Sequence, residues 1–293
     1  MILKFVVENK NFFNIKQVAK EYFDFSDRLI LKLKNKQLIF KNGSIAKIND
    51  ILNIGDIIEF NLDYEEENDN ILPSNIPLDI IFEDDSMIIV NKPPFLPIHP
   101  SIGHFDDSLS NAIKYYFNKI NLHKKIRPVN RLDKDTSGLV IFAKNEYIQE
   151  CLIKQMQNNI FKKSYLAVVL GNIKNETGTI NLPISREENS IIKRKVNTQG
   201  QESITHYKVL KQYPDFSLVE FTLETGRTHQ IRVHSSAIGH PLLGDTLYGE
   251  ASNLINRQAL HSYKIEFIHP ISKEKILIES NLPEDIVKSL RNS

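Results

Sequence analysis

From Leu78 to its C-terminus the chain reads as a succession of short β-strand candidates joined mostly by short connections, and this pattern constrains its fold most. The expected strands are Asp79–Glu83, Ser86–Val90, Leu139–Ala143, Lys163–Val169, Gly178–Asn181, Thr205–Gln212, Ser217–Thr222 and Leu260–Phe267. Helices are expected over Ser108–Lys119, Asn145–Asn158 and Thr228–Ile238. A doubly wound parallel sheet needs a helical crossover between successive strands, and the connections here are too short for that. The predicted fold class is therefore α+β, with a mixed, mainly antiparallel sheet.

Residues 1–62 read as a separate small unit. Asn14–Phe23 places Ile15, Val18, Ala19 and Tyr22 on one helical face. Ser26-Asp27 caps a second helix over Arg28–Leu33. Short strands follow around the Asn42-Gly43 turn, Gln37–Phe40 and Ser44–Ala46, and Gly55-Asp56 opens another over Ile57–Leu62. Between Arg28 and Lys47 lie Lys32, Lys34, Lys36 and Lys41 with no acidic residue among them. That is what phosphate contact requires, and it is equally what a solvated surface carries. Residues 63–77, with Asp63, Glu65, Glu66, Glu67 and Asp69, read as an acidic linker, a solvated tether to a second domain over residues 78–293.

The chain has 293 residues, enough for a sizeable core in two domains. Its hydrophobic share of 41% and charged share of 25% are those of an ordinary globular protein. No apolar stretch approaches the ~20 residues of a membrane span. The N-terminus is charged too soon for a signal peptide. Cys151 is the only cysteine, which excludes a disulfide framework, fits a cytoplasmic protein and is expected to be a buried, inert thiol. The net charge of +1 says nothing about nucleic acid by itself, because balanced totals can hide a basic face.

Two polar blocks carry the chemistry. The first is Arg131-Leu132-Asp133-Lys134-Asp135-Thr136-Ser137-Gly138, reached through Lys124, Lys125 and Arg127 and followed by Leu139-Val140-Ile141-Phe142, which can bury itself as a strand. The second is Thr225-Gly226-Arg227-Thr228-His229-Gln230-Ile231-Arg232-Val233-His234, basic and free of acids. A carboxylate at a strand edge with a guanidinium partner elsewhere suggests a catalytic group held ionised, and the basic flanks suggest a polyanionic substrate. On local sequence alone Asp133 could equally cap the amides of Thr136 and Ser137.

At these residues the chain resembles the RluA-type RNA pseudouridine synthases, whose signature centres on Arg-Leu-Asp followed by Thr-Ser-Gly. The resemblance continues, in family order from about Ile80, through Val90-Asn91-Lys92-Pro93 with His99-Pro100, then Lys163-Ser164-Tyr165-Leu166-Ala167-Val168. Gly226 to His234, Gly239-His240-Pro241-Leu242-Leu243-Gly244-Asp245, Leu260-His261 and His269-Pro270 complete it. The N-terminal unit resembles, more loosely, the S4-like RNA-binding fold that precedes many such domains; its second helix and hairpin face RNA in that family. The implied reaction isomerises uridine to pseudouridine. It is redox-neutral and needs neither metal nor cofactor, but it does need a carboxylate.

The resemblance implies a role for each site residue. Asp133 is the catalytic carboxylate, and Asp135 is then the better cap for the turn. Arg232 is its charge partner, with a planar fork suited to bidentate contact, where an isolated reading gives an exposed helical arginine. Tyr165 stacks on the target base; without the resemblance it is a core residue of a strand. Arg131 fills the space left by an extruded nucleotide, or simply contacts phosphate. Lys92 and His99-Pro100 shape the cleft and touch RNA. Lys193 and Arg194, with Lys195, lie in a loop-like stretch that is either a phosphate contact or a solvated basic loop.

Two residues depart from the family pattern. Asn130 stands where histidine is usual, which keeps a backbone hydrogen bond but no charge. Phe95 stands where glycine is usual, so a different turn backbone is expected. Two other site chemistries are disfavoured. A haloacid-dehalogenase-type phosphatase, suggested by Asp133-Lys134-Asp135-Thr136, needs an apolar strand before the first aspartate, and here the strand follows. A zinc site from His229, His234 and His240 lacks helical spacing and sits beside Arg227 and Arg232. The resulting expectation is a cytoplasmic, monomeric RNA pseudouridine synthase acting without membrane or metal. Its substrate by family architecture is large-subunit ribosomal RNA, with transfer RNA as the alternative substrate and non-catalytic RNA binding or ribosome assembly as the alternative role.

Overall fold

The computed structural model describes residues 1–67 and 70–291. Asn68 and Asp69 of the expected linker, and the terminal Asn292 and Ser293, lie outside the described residues. The N-terminal unit is a four-stranded antiparallel sheet of β1 (Ile2–Val6), β2 (Ile39–Lys41), β3 (Ser44–Ile45) and β4 (Ile57–Asn61), in the order β1-β4-β2-β3. A helical turn α1 (Ile15–Gln17), continued as a π-helical turn over Val18–Tyr22, and α2 (Asp27–Asn35) pack on it. The side chains of Asn14 and Ser26 cap these helices by accepting from the amides of Gln17 and Leu29. Strand β1 has no sequence counterpart because Leu3 is its only buried residue.

The larger sheet begins with β5 (Ile80–Glu83), β6 (Met87–Lys92), β7 (Arg127–Pro128), β8 (Ser137–Ala143), β9 (Lys162–Leu170) and β10 (Thr177–Asn181). A separate hairpin, β11 (Ile184–Arg186) and β12 (Arg194–Val196), interrupts it. It resumes with β13 (Ile204–Gln212), β14 (Phe216–Leu223), β15 (Leu260–Ile268) and β16 (Lys275–Glu279). The main path runs β10-β13-β14-β9-β15-β8-β6-β5, with β16 added to β15 and β7 to β8. Every pairing described is antiparallel except β15 with β8, so the fold is α+β and mainly antiparallel. Helices α3 (Leu109–Lys119), α4 (Glu146–Gln157), α5 (Gln230–Ala237) and α6 (Glu284–Arg291) accompany the sheet.

The run Leu139-Val140-Ile141-Phe142 lies on β8, buried on both faces. Leu139 and Ile141 join a core shared with α4 and the N-terminal unit, while Val140 and Phe142 pack with Leu109, Ile113 and Phe117 of α3. Alternation fails in this strand because each face has its own cover. Gly138, at the head of β8, has φ +117°, and a Cβ there would stand 2.2 Å from the Ser262 carbonyl oxygen of β15. Only glycine permits the one parallel contact in the sheet, which brings the β8 entry loop and β9 to either side of β15. Gly138→Ala should therefore destabilise the protein by about 3 kcal/mol or more, read as a lowered urea midpoint.

The acidic linker is docked along the protein surface. Glu66, with a side chain 6% exposed, makes a two-pronged ion pair with Arg127, both contacts at 2.7 Å. The Tyr64 hydroxyl donates to Glu146 at 2.6 Å, and Lys124 reaches the Tyr64 carbonyl and Asp63. Two of the three cations expected to lead toward the catalytic block, Lys124 and Arg127, therefore serve this docking. Lys32 of α2 turns the same way, 2.6 Å from Glu146 and 3.5 Å from Glu66, so the expectation that it faces RNA is corrected. Phe25 of the N-terminal unit stacks edge-on against Tyr147 of α4. Cys151, on α4, is part-buried, and burial raises its thiol pKa, as an inert thiol requires.

Candidate active site

Asp133 sits in the loop that feeds β8, beside a cleft lined by Arg131, Leu132, Tyr165, His229, Arg232 and Leu260 among others. Its turn is closed by the main chain, the Thr136 amide donating to the Asp133 carbonyl at 3.1 Å, which corrects the side-chain cap expected of Asp135. The Asp135 carbonyl instead accepts from Arg257, a buried residue anchored in turn by Asp285 at the start of α6. Asn130 holds the other end of the loop. Its amide donates to Leu139 and its carbonyl accepts from Ile141, the backbone role expected of it.

Arg232 lies in the first turn of α5 and is 8% exposed, so it is not the solvated helical arginine of an isolated reading. Its Nη1 reaches the Asp133 Oδ2 at 3.2 Å. The bidentate fork goes elsewhere, to Asp245, with Nε to Oδ2 at 2.7 Å and Nη2 to Oδ1 at 2.8 Å. The expected two-pronged grip on Asp133 is thus corrected to a single contact from a guanidinium that Asp245 holds in place. Asp245 is fully buried, and its Oδ1 also accepts from the amides of Leu247 and Tyr248. Burial opposes the charge on Arg232, but Asp245 first and Asp133 second outweigh it and raise its pKa, so it stays cationic.

The sequence singles out His229 only as a possible metal ligand. It precedes α5 in a left-handed conformation, φ +59°, which puts Nε2 3.8 Å from the Asp133 Oδ2 and Nδ1 2.8 Å from the Tyr248 hydroxyl. Burial lowers its pKa, against the pull of Asp133 and with the push of Arg232 and Arg194. A neutral ring facing the carboxylate follows. His234 bonds to Thr205 and the Leu182 carbonyl, and His240 to the Leu170 carbonyl, so the three histidines do not converge. Among the described residues no group of three His, Cys, Asp or Glu side chains could hold a metal.

Tyr165, on β9 across from Ser262, forms one wall of the cleft and is 6% exposed. Burial, with the Asp133 charge adding to it, raises its phenol pKa well above the ordinary value, so it remains a neutral apolar face with a hydroxyl. Arg131 is exposed at the lip. Lys92 is not at the surface: it is 1% exposed, and its ammonium donates to the carbonyls of Pro93, Leu96 and Lys134 at 2.8–2.9 Å. The expectation that Lys92 touches RNA is corrected, since it ties the 93–96 turn to the Asp133 loop. Burial pushes its pKa down to about 7, while its three acceptors are the complement of a full ammonium.

Phe95, in that turn, has φ +65° and is 47% exposed. A bulky non-glycine residue in the left-handed region carries local backbone strain. Lys193 faces Glu187 at 3.7 Å. Arg194 lies on strand β12, not in a loop, and lines a recess with Arg186 and Arg227 next to the cleft. Lys34 on α2 and Lys36, which caps its C-terminus, are exposed, with Lys36 5.4 Å from the Tyr64 ring.

With this geometry in view, the comparisons agree with one another. Residues 86–237 match the family model described as RNA pseudouridylate synthase. YhcT of Bacillus subtilis, named an uncharacterised RNA pseudouridine synthase, is 40% identical over 271 residues, 92% of this chain and 89% of that one. Ribosomal large subunit pseudouridine synthase D of Haemophilus ducreyi is 38% identical over 286 residues, 92% of this chain and 87% of that one. Among solved structures, human RNA pseudouridylate synthase domain containing 1 superposes with a TM-score of 0.59 at 28% identity, covering 71% of this chain and 84% of that one.

Proposed function

The chain belongs to the RNA pseudouridylate synthase family and is an RNA pseudouridine synthase, and on that premise we propose that it converts a uridine of large-subunit ribosomal RNA through Asp133. The observation that carries this reading is that, among the described residues, Asp133 is the only carboxylate lining the cleft, and it faces a guanidinium held in place from behind by Asp245. Isomerisation breaks the N1–C1′ bond, turns the base, joins C5 to C1′ and releases the C5 proton, with N1 gaining one. No atoms are added or lost overall. Asp133 carries the nucleoside or takes a sugar proton while the base turns.

Arg232 orients that carboxylate; a group misplaced by 1 Å can lose about 10²-fold in rate. Tyr165 offers a flat face to the extruded base, and Arg131 at the lip fills the gap that the base leaves. The preference for ribosomal RNA is supported by the relatives named ribosomal large subunit pseudouridine synthase D. The N-terminal unit, with two helices on a small sheet and outward-facing Lys34 and Lys36, suits an S4-like RNA contact. Replacing both lysines by alanine should flatten the plot of log affinity against log salt by about 1.4–1.8. An unchanged slope means that they touch no phosphate.

The test is carbodiimide mapping of unmodified ribosomal and transfer RNA after incubation with the protein. New stops on large-subunit RNA alone are expected. Stops on transfer RNA alone would reassign the substrate, and stops on neither would contradict the proposal.

A further inference from the structure

The cleft continues past Tyr165 into a second recess bordered by Arg131, Lys163, Glu202, Glu224 and Arg227. Lys163 stands two residues before Tyr165 on β9, so both side chains leave the same face of the strand. Its Nζ lies close against Gly226, 3.3 Å from where a Cβ would stand. Lys163 is half-buried, and burial alone shifts its pKa, downward; no carboxylate or hydrogen-bond partner among the described residues offsets that. Arg227 gives only its Nε, to the Glu202 carbonyl at 3.0 Å. Of the two acids in the recess, Glu224 is taken by His206 at 2.5 Å and Glu202 is exposed.

The Lys163 ammonium borders the recess with no counter-ion among the described residues, so the partner it lacks is an anion. The recess opens directly from the cleft that takes the base, so what enters it is the backbone beside that base. We propose that Lys163, together with Arg227, seats a phosphodiester of the substrate RNA next to the extruded uridine. This rests on the RNA reading above and adds a phosphate subsite to it. A phosphate there supplies the charge that Lys163 lacks and fixes the strand on which Tyr165 and Asp133 act.

The experiment measures binding of an unmodified large-subunit ribosomal RNA transcript to the full chain carrying Asp133→Asn, so that no turnover intervenes. Adding Lys163→Met should lower affinity about tenfold at physiological salt and reduce the slope of log affinity against log salt by about 0.7–0.9; Lys163→Arg should restore both. Without RNA, the Lys163→Met protein should melt close to the temperature of its parent. An unchanged salt slope overturns the proposal, and so does a Lys163→Met protein that melts several degrees lower, the mark of a packing role. Pseudouridine formation by the unaltered protein is read on the same transcript. Its absence would count against the ribosomal substrate and leave the slope comparison intact.

Discussion

Asp133→Asn abolishes pseudouridine formation, with a rate loss of at least about four orders of magnitude, and leaves RNA affinity within a few-fold of the unaltered protein. Asparagine has nearly the same shape but neither a nucleophilic carboxylate nor a base. The fold does not depend on the lost charge. The Asp133 side chain is 26% exposed, and its contact with Arg232 at 3.2 Å is longer than the two that bind Arg232 to Asp245. Arg232 thus keeps its place when Asp133 is neutral. Rapid-quench turnover and equilibrium binding, measured on the same RNA, separate the two effects. Joint loss of binding and turnover would make Asp133 a structural residue of the cleft.

Asp245→Ala is the second large effect, and it is expected to strike stability and activity together. It removes the buried fork partner of Arg232 and leaves the Leu247 and Tyr248 amides without their acceptor. Removing one member of a buried ion pair costs about 3–5 kcal/mol, because the other charge stays desolvated. Turnover should fall about 10²–10³-fold as Arg232 loses its orientation toward Asp133. The double variant Arg232→Met with Asp245→Leu should recover much of the stability and none of the activity. An Asp245→Ala protein that melts normally would contradict the positioning role.

Much of this was legible in the sequence where a local pattern sufficed. The apolar run after Gly138 marked β8, and the strands expected over Lys163–Val169 and Ser217–Thr222 match β9 and β14 to within a residue or two. The Ser26-Asp27 cap marked the start of α2, and the helix expected over Asn145–Asn158 is α4. Motif order pointed to Asp133, Tyr165 and Arg232, which the structure brings to one cleft. What stayed hidden depends on who meets whom. Nothing local distinguishes Asp245 from a turn aspartate after Gly244, or tells that Lys92, Lys124 and Arg127 point inward. The left-handed backbone that turns His229 toward Asp133 has no signature in a non-glycine residue. Glu66 looked solvated because charge runs usually are; its docking depends on Arg127, 61 positions away. The short hairpin of β11 and β12 has too few buried positions to show a period, and β16 lies after a stretch read only as family motif.

The most direct measurement is tritium release from a large-subunit ribosomal RNA transcript carrying [5-³H]uridine, since joining C5 to C1′ must expel the C5 hydrogen. The unaltered protein should release about one tritium for each modified site, and Asp133→Asn none above background. Release by Asp133→Asn at the unaltered rate would contradict the assignment of the chemistry to this carboxylate.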